Sequence, residues 1–345
     1  MKVAVVNTAV PFLRGGAEIF ADGLARALTE AGHEVAEVKI PLRWSSARAI
    51  AESMLAATLI PIPDADVVIP LKFPAYLVEH PHKTLWLLHQ FRQVYDLWGT
   101  PFQGLPDDAE TARLRAAIRV ADLKAIGGAH SVFTNSAVTA GRLDQYNGLQ
   151  AEVLLPPVIE PEQYADAGQG DYVLAAGRIN ATKRQELLLH AAALTKSGVR
   201  LVIAGKPESD DELRRMTEFI ESHRLEDRVQ LIPRFITDAE KRDLMGGALG
   251  VAHLPLDEDS YGYVTAEAML SSKPVITTAD SGGVLELVEH GATGLVATAD
   301  PEGLARAMDS LSRDRVAARD MGHRARQRVI DLDLSWDNAL RRLLA

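Results

Sequence analysis

Tyr172 to Leu189 reads "YVLAAGRINATKRQELLL". Its opening is a short apolar run that ends on Gly177, and its close passes into a helical stretch through Leu187–Leu189. A run that is apolar at successive positions, rather than at every second one, suits a strand covered on both faces of a parallel sheet. The same pattern recurs along the chain. Lys2–Asn7, Glu34–Ile40, Val67–Ile69, Thr84–His89, Ser131–Asn135 and Glu152–Pro156 precede it; Arg200–Gly205, Val229–Pro233, Gly250–Leu254, Pro274–Thr278 and Thr293–Ala297 follow. Segments of helical period lie between them. In Ala17–Ala31, Phe20, Leu24 and Leu28 share one stripe, and Gly32 stands where a C-terminal cap belongs.

Six strands on each side of a break predict two doubly wound, Rossmann-like α/β domains. The break is "PPVIEPEQYADAGQGD", Pro156 to Asp171, rich in proline, glycine and acid. The expected division is 1–160, 161–327 and a C-terminal piece, 328–345, whose last helix near Trp336–Leu344 returns to the first domain. Doubly wound sheets bind ligands beyond the carboxyl ends of their strands, so two facing domains would share a central cleft.

Composition narrows the partners. The chain has 345 residues, 47% hydrophobic and 24% charged, with 47 acidic against 37 basic side chains and a formal charge of −10. That excess of acid argues against nucleic acid or an anionic membrane as the main partner. The absence of cysteine excludes disulfides, thiolate metal sites and a cysteine nucleophile. No stretch approaches the roughly 18 apolar residues of a membrane span, and "MKVAVVNTAVPF" lacks the pattern of a signal peptide. A cytoplasmic location is the simplest expectation.

Chemistry should lie in the loops after the strands. Gly15-Gly16, ahead of the first helix, is either an anion cradle or simple turn chemistry. No G-x-G-x-x-G follows any strand, which disfavours a dinucleotide-dependent oxidoreductase, and the Walker pattern is missing. Arg178 and Lys183 leave a strand's carboxyl end near a helix start, as a diphosphate clamp of planar fork and point charge or as a solvated basic turn. His89 ends the fourth strand, able to donate to a ligand oxygen, to move a proton, or to serve only structure. Phe91, Tyr95, Trp98 and Phe102 follow it as a ligand platform or a packing cluster. After the tenth strand, "DEDSYGYVTAEAM" should open a helix at about Gly262, with the amides of Tyr263 and Val264 foremost. Asp259 and Glu267 flank that start and suit a polyol, because carboxylates accept hydrogen bonds from vicinal hydroxyls. A solvated charge run explains Asp257 and Glu258 well and Glu267 poorly. No His/Asp cluster suggests a metal site. Gly282-Gly283 offers a further helix start on the same rim.

Five pieces in order, "RGGAE" (Arg14–Glu18), "AGHEV" (Ala31–Val35), "GRINATK" (Gly177–Lys183), "YGYVTAEAM" with "KPVITT" (Tyr261–Thr278) and "SGGVLELVEHGATGLV" (Ser281–Val296), resemble a retaining nucleotide-sugar glycosyltransferase of family 4 (group 1) with the GT-B fold. The resemblance covers nearly the full length and is densest from Tyr172 to Ala297. It implies an acceptor-side first domain and a donor-binding second domain. Arg178 and Lys183 would hold the donor diphosphate, Glu267 the ribose hydroxyls, and the amides of Gly262, Tyr263 and Val264 phosphate or sugar. Gly16 would lie beneath the diphosphate, and His89 and Asp259 would approach the transferred sugar. "PRFITD", Pro233 to Asp238, falls at the family's base-binding loop, with Phe235 and Ile236 as the contacts. Two positions depart from the family: the first of its paired acids is Asp259 rather than glutamate, and Arg234 replaces a small glycine.

The implied reaction moves a hexose-type sugar from a nucleoside-diphosphate sugar to a carbohydrate, small-molecule or lipid-linked hydroxyl, with retention of configuration. The leaving diphosphate would accept the acceptor's proton, with no cofactor and no metal required. Two alternatives stand beside it: a nucleotide-sugar epimerase, which would turn over donor without acceptor, and a non-catalytic nucleotide-sugar-binding protein.

Overall fold

The structure is a computed structural model that describes residues 1–10 and 15–345. Arg14, the first residue of the "RGGAE" piece, lies outside the described residues. The chain forms two compact units, Met1–Pro157 with Leu334–Ala345, and Val158–Asp333.

The first unit runs β1 (Lys2–Ala9), α1 (Gly16–Glu30), β2 (Glu34–Pro41), α2 (Ala47–Thr58), β3 (Val67–Pro70), β4 (Thr84–Leu87), α3 (Ala109–Gly127), β5 (Ser131–Thr134), α4 (Ala137–Asn147) and β6 (Glu152–Val153). All its strand pairs are parallel. They form two three-stranded sheets, β2-β1-β3 and β4-β5-β6, instead of one continuous ladder. Where β3 and β4 meet, single bridges join Val68 to Lys83 and Lys72 to His89. Two four-residue strands, one closing on Pro70, leave few amides for a longer pairing. On α1, Phe20, Leu24 and Leu28 are all buried, and Gly32 takes the left-handed φ of +85° just past the helix end. Phe20 packs edge-on against the fully buried Trp86, ring centroids 4.7 Å apart.

The second unit runs β7 (Tyr172–Ala176), α5 (Gln185–Leu194), β8 (Arg200–Ala204), α6 (Asp210–Ser222), β9 (Val229–Ile232), α7 (Asp238–Gly246), β10 (Gly250–Ala252), α8 (Tyr263–Leu270), β11 (Val275–Thr278), β12 (Gly294–Ala297), α9 (Pro301–Arg313) and α10 (Arg315–Asp331). Its six strands make one parallel sheet in the order β12-β11-β10-β7-β8-β9. Its core joins the inward faces of that sheet to Leu188 and Leu189 of α5 and Leu304, Met308 and Leu311 of α9. α10 belongs to this unit, so the return to the first unit begins at Leu334 rather than at 328. The last helix, α11 (Trp336–Leu343), is part of the first unit: Trp336 lies 5.9 Å from Phe20, and Arg342 donates to the Val153 carbonyl oxygen at 3.0 Å.

The strand order matters for function. β7 and β10 are neighbours, and from them the chain proceeds to β8 on one side and β11 on the other. That is a topological switch point, where the loops beyond the strand ends splay apart and leave a crevice. The loops after β7 and β10 carry Arg178, Lys183, Asp259 and the start of α8.

Candidate active site

The loop after β7 begins at Gly177, whose φ is +125°. A Cβ at Gly205 on the adjacent strand end would fall 1.8 Å from the Gly177 carbonyl oxygen, so the close approach requires glycine at 205, while at 177 the positive φ alone favours it. Arg178 is exposed. Asn180 then organises the turn: its Oδ1 accepts from the Lys183 amide at 3.0 Å and from the Thr182 hydroxyl at 2.9 Å. Lys183 is thus fixed by its backbone just ahead of α5, and its ammonium forms an ion pair with Glu258.

Arg184, next in sequence, has a left-handed φ of 56°. Its guanidinium donates to the Leu254 and Pro255 carbonyl oxygens at 2.7 and 2.9 Å, to Thr278 Oγ1 at 2.8 Å, and to both Asp280 carboxylate oxygens at 2.8 Å. One side chain therefore ties the β7 loop to the exits of β10 and β11. The Arg184 hydrogen bond holds the Asp280 carboxyl below the usual carboxylate range against the opposing effect of burial. Sequence reading passed over this residue, because only the fold shows where its fork reaches.

After β10 the chain turns through His253, which is buried and bonded through Nδ1 to Thr265 Oγ1 at 2.9 Å. Burial, and then the Lys183 charge, push its imidazole down to about 3. It is a neutral packing group beneath the loop. Gly262, at φ +68°, lies directly against it: a Cβ there would meet His253 Cε1 at 2.3 Å. Gly262 caps α8, which begins at Tyr263. The Gly262 amide is already taken by Ser260 Oγ at 3.3 Å, while Tyr263 and Val264 supply first-turn amides with no partner inside the helix.

The acidic run is less solvated than its composition suggests. Asp257 has a left-handed φ of 48°, and its amide donates to the Asp280 carbonyl oxygen at 2.9 Å. Glu258, read from sequence as a solvated acid, is the Lys183 partner, and Asp259 is half-buried beside it. Gly282 and Gly283 press on this loop: Cβ atoms there would lie 2.4 Å from the Glu258 carbonyl oxygen and 2.6 Å from the Ser260 carbonyl carbon. The Gly283 amide donates to Glu258 O at 2.9 Å. The glycine pair serves close packing, and a four-residue 3₁₀ turn, Gly283–Glu286, starts at its second glycine in place of an α-helix.

Glu267 lies on α8, 6% exposed. Its Oε1 accepts from Lys241 Nζ at 2.7 Å, and its Oε2 is buried with no hydrogen-bond partner. The Tyr263 hydroxyl is buried and unpaired as well. Burial, followed by the Glu267 charge, drives both the Tyr164 and Tyr263 hydroxyls above their ordinary range. Lys241 was also missed from sequence. It lies 26 positions from its partner, and nothing local marks it.

In the loop before α7, Phe235 is 76% exposed and Ile236 half-buried. Arg234 forks onto Glu240, at 2.7 and 3.2 Å, and Glu240 also accepts from the Thr237 amide at 2.8 Å. The unusual arginine thus braces the loop against the helix that follows.

The first unit holds the remaining sequence candidates. The Gly15 amide donates to Glu18 Oε2 at 2.8 Å, and Lys72 pairs with Glu18 Oε1 at 2.8 Å. Gly15 therefore has an internal acceptor, and Gly16 begins α1. His89 Nδ1 donates to the Gln90 carbonyl oxygen at 2.7 Å, which ties that edge of the ring to the backbone. Of the aromatic group, Phe91 and Tyr95 are core residues and Trp98 packs under Arg115, 4.4 Å from the ring centroid; only Phe102 is exposed. Packing, not a ligand platform, accounts for the first three.

Among the described residues no His, Asp and Glu side chains gather in threes as a metal site, and no helix is long and apolar enough to cross a membrane.

Residues 159–328 match the family described as glycosyl transferases group 1. The second unit is a group 1 glycosyltransferase domain. Curated relatives of this chain include N-acetyl-alpha-D-glucosaminyl L-malate synthase of Bacillus anthracis, 27% identical over 49% of this chain and 43% of that protein. Another is the alpha-1,3/1,6-mannosyltransferase ALG2 of Homo sapiens, 26% identical over 59% of this chain and 55% of that protein. The chain thus matches about half the length of these relatives. Solved structures resemble it end to end. Anabaena Alr3699/HepE in complex with UDP is 19% identical with a TM-score of 0.71, over 99% of this chain and 100% of that one. A glycosyltransferase from Rickettsia africae ESF-5 is 16% identical with a TM-score of 0.74, over 99% and 98%. This likeness carries the fold: two Rossmann-like units of the GT-B class.

Proposed function

We propose that this protein transfers a hexose-type sugar from a nucleoside-diphosphate sugar to a hydroxyl acceptor with retention of configuration, as a family 4 enzyme. The observation that carries the reading is the arrangement at the β7/β10 switch point. There two cations, Arg178 and Lys183, leave one strand end, and a glycine-opened helix bearing Glu267 leaves the other. The family match of the second unit supports it, and so does a structural neighbour that was solved with UDP.

Each group has a physical task. Arg178 and Lys183 face negative charge that grows on the diphosphate as the sugar–phosphate bond breaks. Fixed cations there stabilise the transition state more than the ground state. The first amides of α8, at Tyr263 and Val264, add the positive end of a helix. Glu267 Oε2 is a buried acceptor lacking a donor, an arrangement that costs about 1–3 kcal/mol and that a ribose hydroxyl would relieve. Asp259 serves the sugar end, and Phe235 and Ile236 the base. The acceptor's proton passes to the leaving diphosphate, so no protein nucleophile is needed. With two cations on the leaving group, the reaction requires neither a cofactor nor a divalent ion. We place it in the cytoplasm.

A thermal-shift panel of nucleotide sugars tests this reading, because selective binding to the native state raises the melting temperature with ligand concentration. Nucleoside-diphosphate sugars of one base should shift the transition most. A folded protein that no nucleotide sugar shifts at millimolar concentration contradicts the proposal.

A further inference from the structure

The two cations of the clamp are not equivalent. Arg178 is exposed, and its guanidinium has no side-chain partner among the described residues, whereas Lys183 is engaged by Glu258. We propose that Glu258 and the donor's diphosphate compete for Lys183, so that Glu258 weakens nucleotide binding and speeds release of the nucleoside-diphosphate product. The proposal rests on the donor-binding reading of the β7/β10 loops.

Both ends of the pair are anchored by the backbone, so the contact is built into the loops. Lys183 is held through its amide by Asn180 Oδ1 at 3.0 Å. Glu258 is held by the Gly283 amide on its carbonyl oxygen at 2.9 Å and by its bridge to Gly282. The Leu256 amide donates to Thr182 O at 2.8 Å and stitches the two loops together one residue from Lys183. The closeness of Gly282 and Gly283 to Glu258 and Ser260 leaves this segment little room to retreat. The side chains, at 29% and 28% exposure, are covered enough to attract each other and open enough to separate.

A diphosphate that takes Lys183 must therefore displace a carboxylate held in place. Glu258 thus opposes the bound anion by holding the lysine, and it recaptures the ammonium as the product departs. Such a device favours turnover over tight holding of product, which is the useful compromise where product release limits the rate.

Calorimetric titration with UDP, GDP and ADP is the test, on the wild type, Glu258→Gln, Lys183→Met and the double variant. Glu258→Gln should bind the preferred nucleoside diphosphate about tenfold tighter, the reverse of what mere damage to the loop would do. Glu258→Ala should change affinity in the same direction. In the Lys183→Met background, Glu258→Gln should gain less than about twofold, because the competition runs through the lysine. Unchanged or weaker binding by a folded Glu258→Gln overturns the proposal, and so does an equal gain in both backgrounds, which would mean plain repulsion. If the wild type binds none of the three, the donor reading itself falls and takes the competition with it.

Discussion

Lys241 Nζ lies 2.7 Å from Glu267 Oε1, while the second oxygen of that carboxylate is buried without a partner. The lysine is thus the ion-pair partner of the carboxylate that the proposed function assigns to the nucleotide's hydroxyls. Lys241→Met would leave a buried carboxylate with neither partner, at an expected loss of about 2–4 kcal/mol. For a unit of this size the melting temperature should fall by roughly 5–10 °C. The double variant Lys241→Met/Glu267→Gln should recover most of the loss, because no charge then stays buried. Calorimetric scans of the three proteins decide it. Equal melting temperatures for the single and double variants would contradict the account.

A second prediction concerns Asp122 on α3. It is fully buried, and burial pushes its carboxyl up to about 7, against the opposing hydrogen bond that the Tyr95 hydroxyl donates at 2.8 Å. The sign follows from linkage. Below the ordinary carboxylate range both states hold the proton and nothing is lost. Between about pH 4 and 7 the unfolded chain ionises while the native one does not, so stability falls as pH rises. Asp122→Asn removes that slope. Its melting temperature should exceed that of the wild type at pH 8 and come close to it at pH 4. A constant offset across the range would show that the carboxyl ionises natively.

Metal independence gives a third. Exhaustive chelation should change the donor turnover rate by less than about twofold, since the fixed cations already balance the leaving group. Loss of activity in EDTA, restored by Mg²⁺ or Mn²⁺, would show that the phosphate chemistry needs another cation.

A fourth separates the two acids. Glu267→Ala should weaken every nucleoside diphosphate by about tenfold or more, because buried hydroxyls lose their acceptor. Asp259→Ala should slow transfer and leave product affinity almost intact. Asp259→Glu should reorder donor sugars more than bases. Product-inhibition constants measured beside donor kcat/KM check all three, and equal losses of product affinity would sink the division.

How much of this could be read from sequence follows from the range of the interactions. Strands such as Tyr172–Ala176 are apolar at successive positions because both faces are covered, so local composition reveals them. Gly262 was legible as a helix opener, though the reason it must be glycine, the His253 ring, was not. The split of the first unit into two three-stranded sheets depends on how the short β3 and β4 meet, which no single segment encodes. The ion pair of Lys183 with Glu258 spans 75 positions, and the bonds of Arg184 to Asp280 span 96. A charged residue whose partner lies that far away looks like a solvated one until the chain is folded. Phe91 and Tyr95 stand in a loop after a strand, where ligands are sought, and sequence alone leaves them open between platform and packing; the fold shows that they fill the core.

The central claim is that Lys183 stabilises the leaving diphosphate of a sugar donor. The most direct measurement is donor kcat/KM, followed as release of nucleoside diphosphate, for a folded Lys183→Ala protein against the wild type. The account predicts a fall of about two orders of magnitude, as expected when a preorganised charge partner is removed. A value within about threefold of the wild type would contradict it.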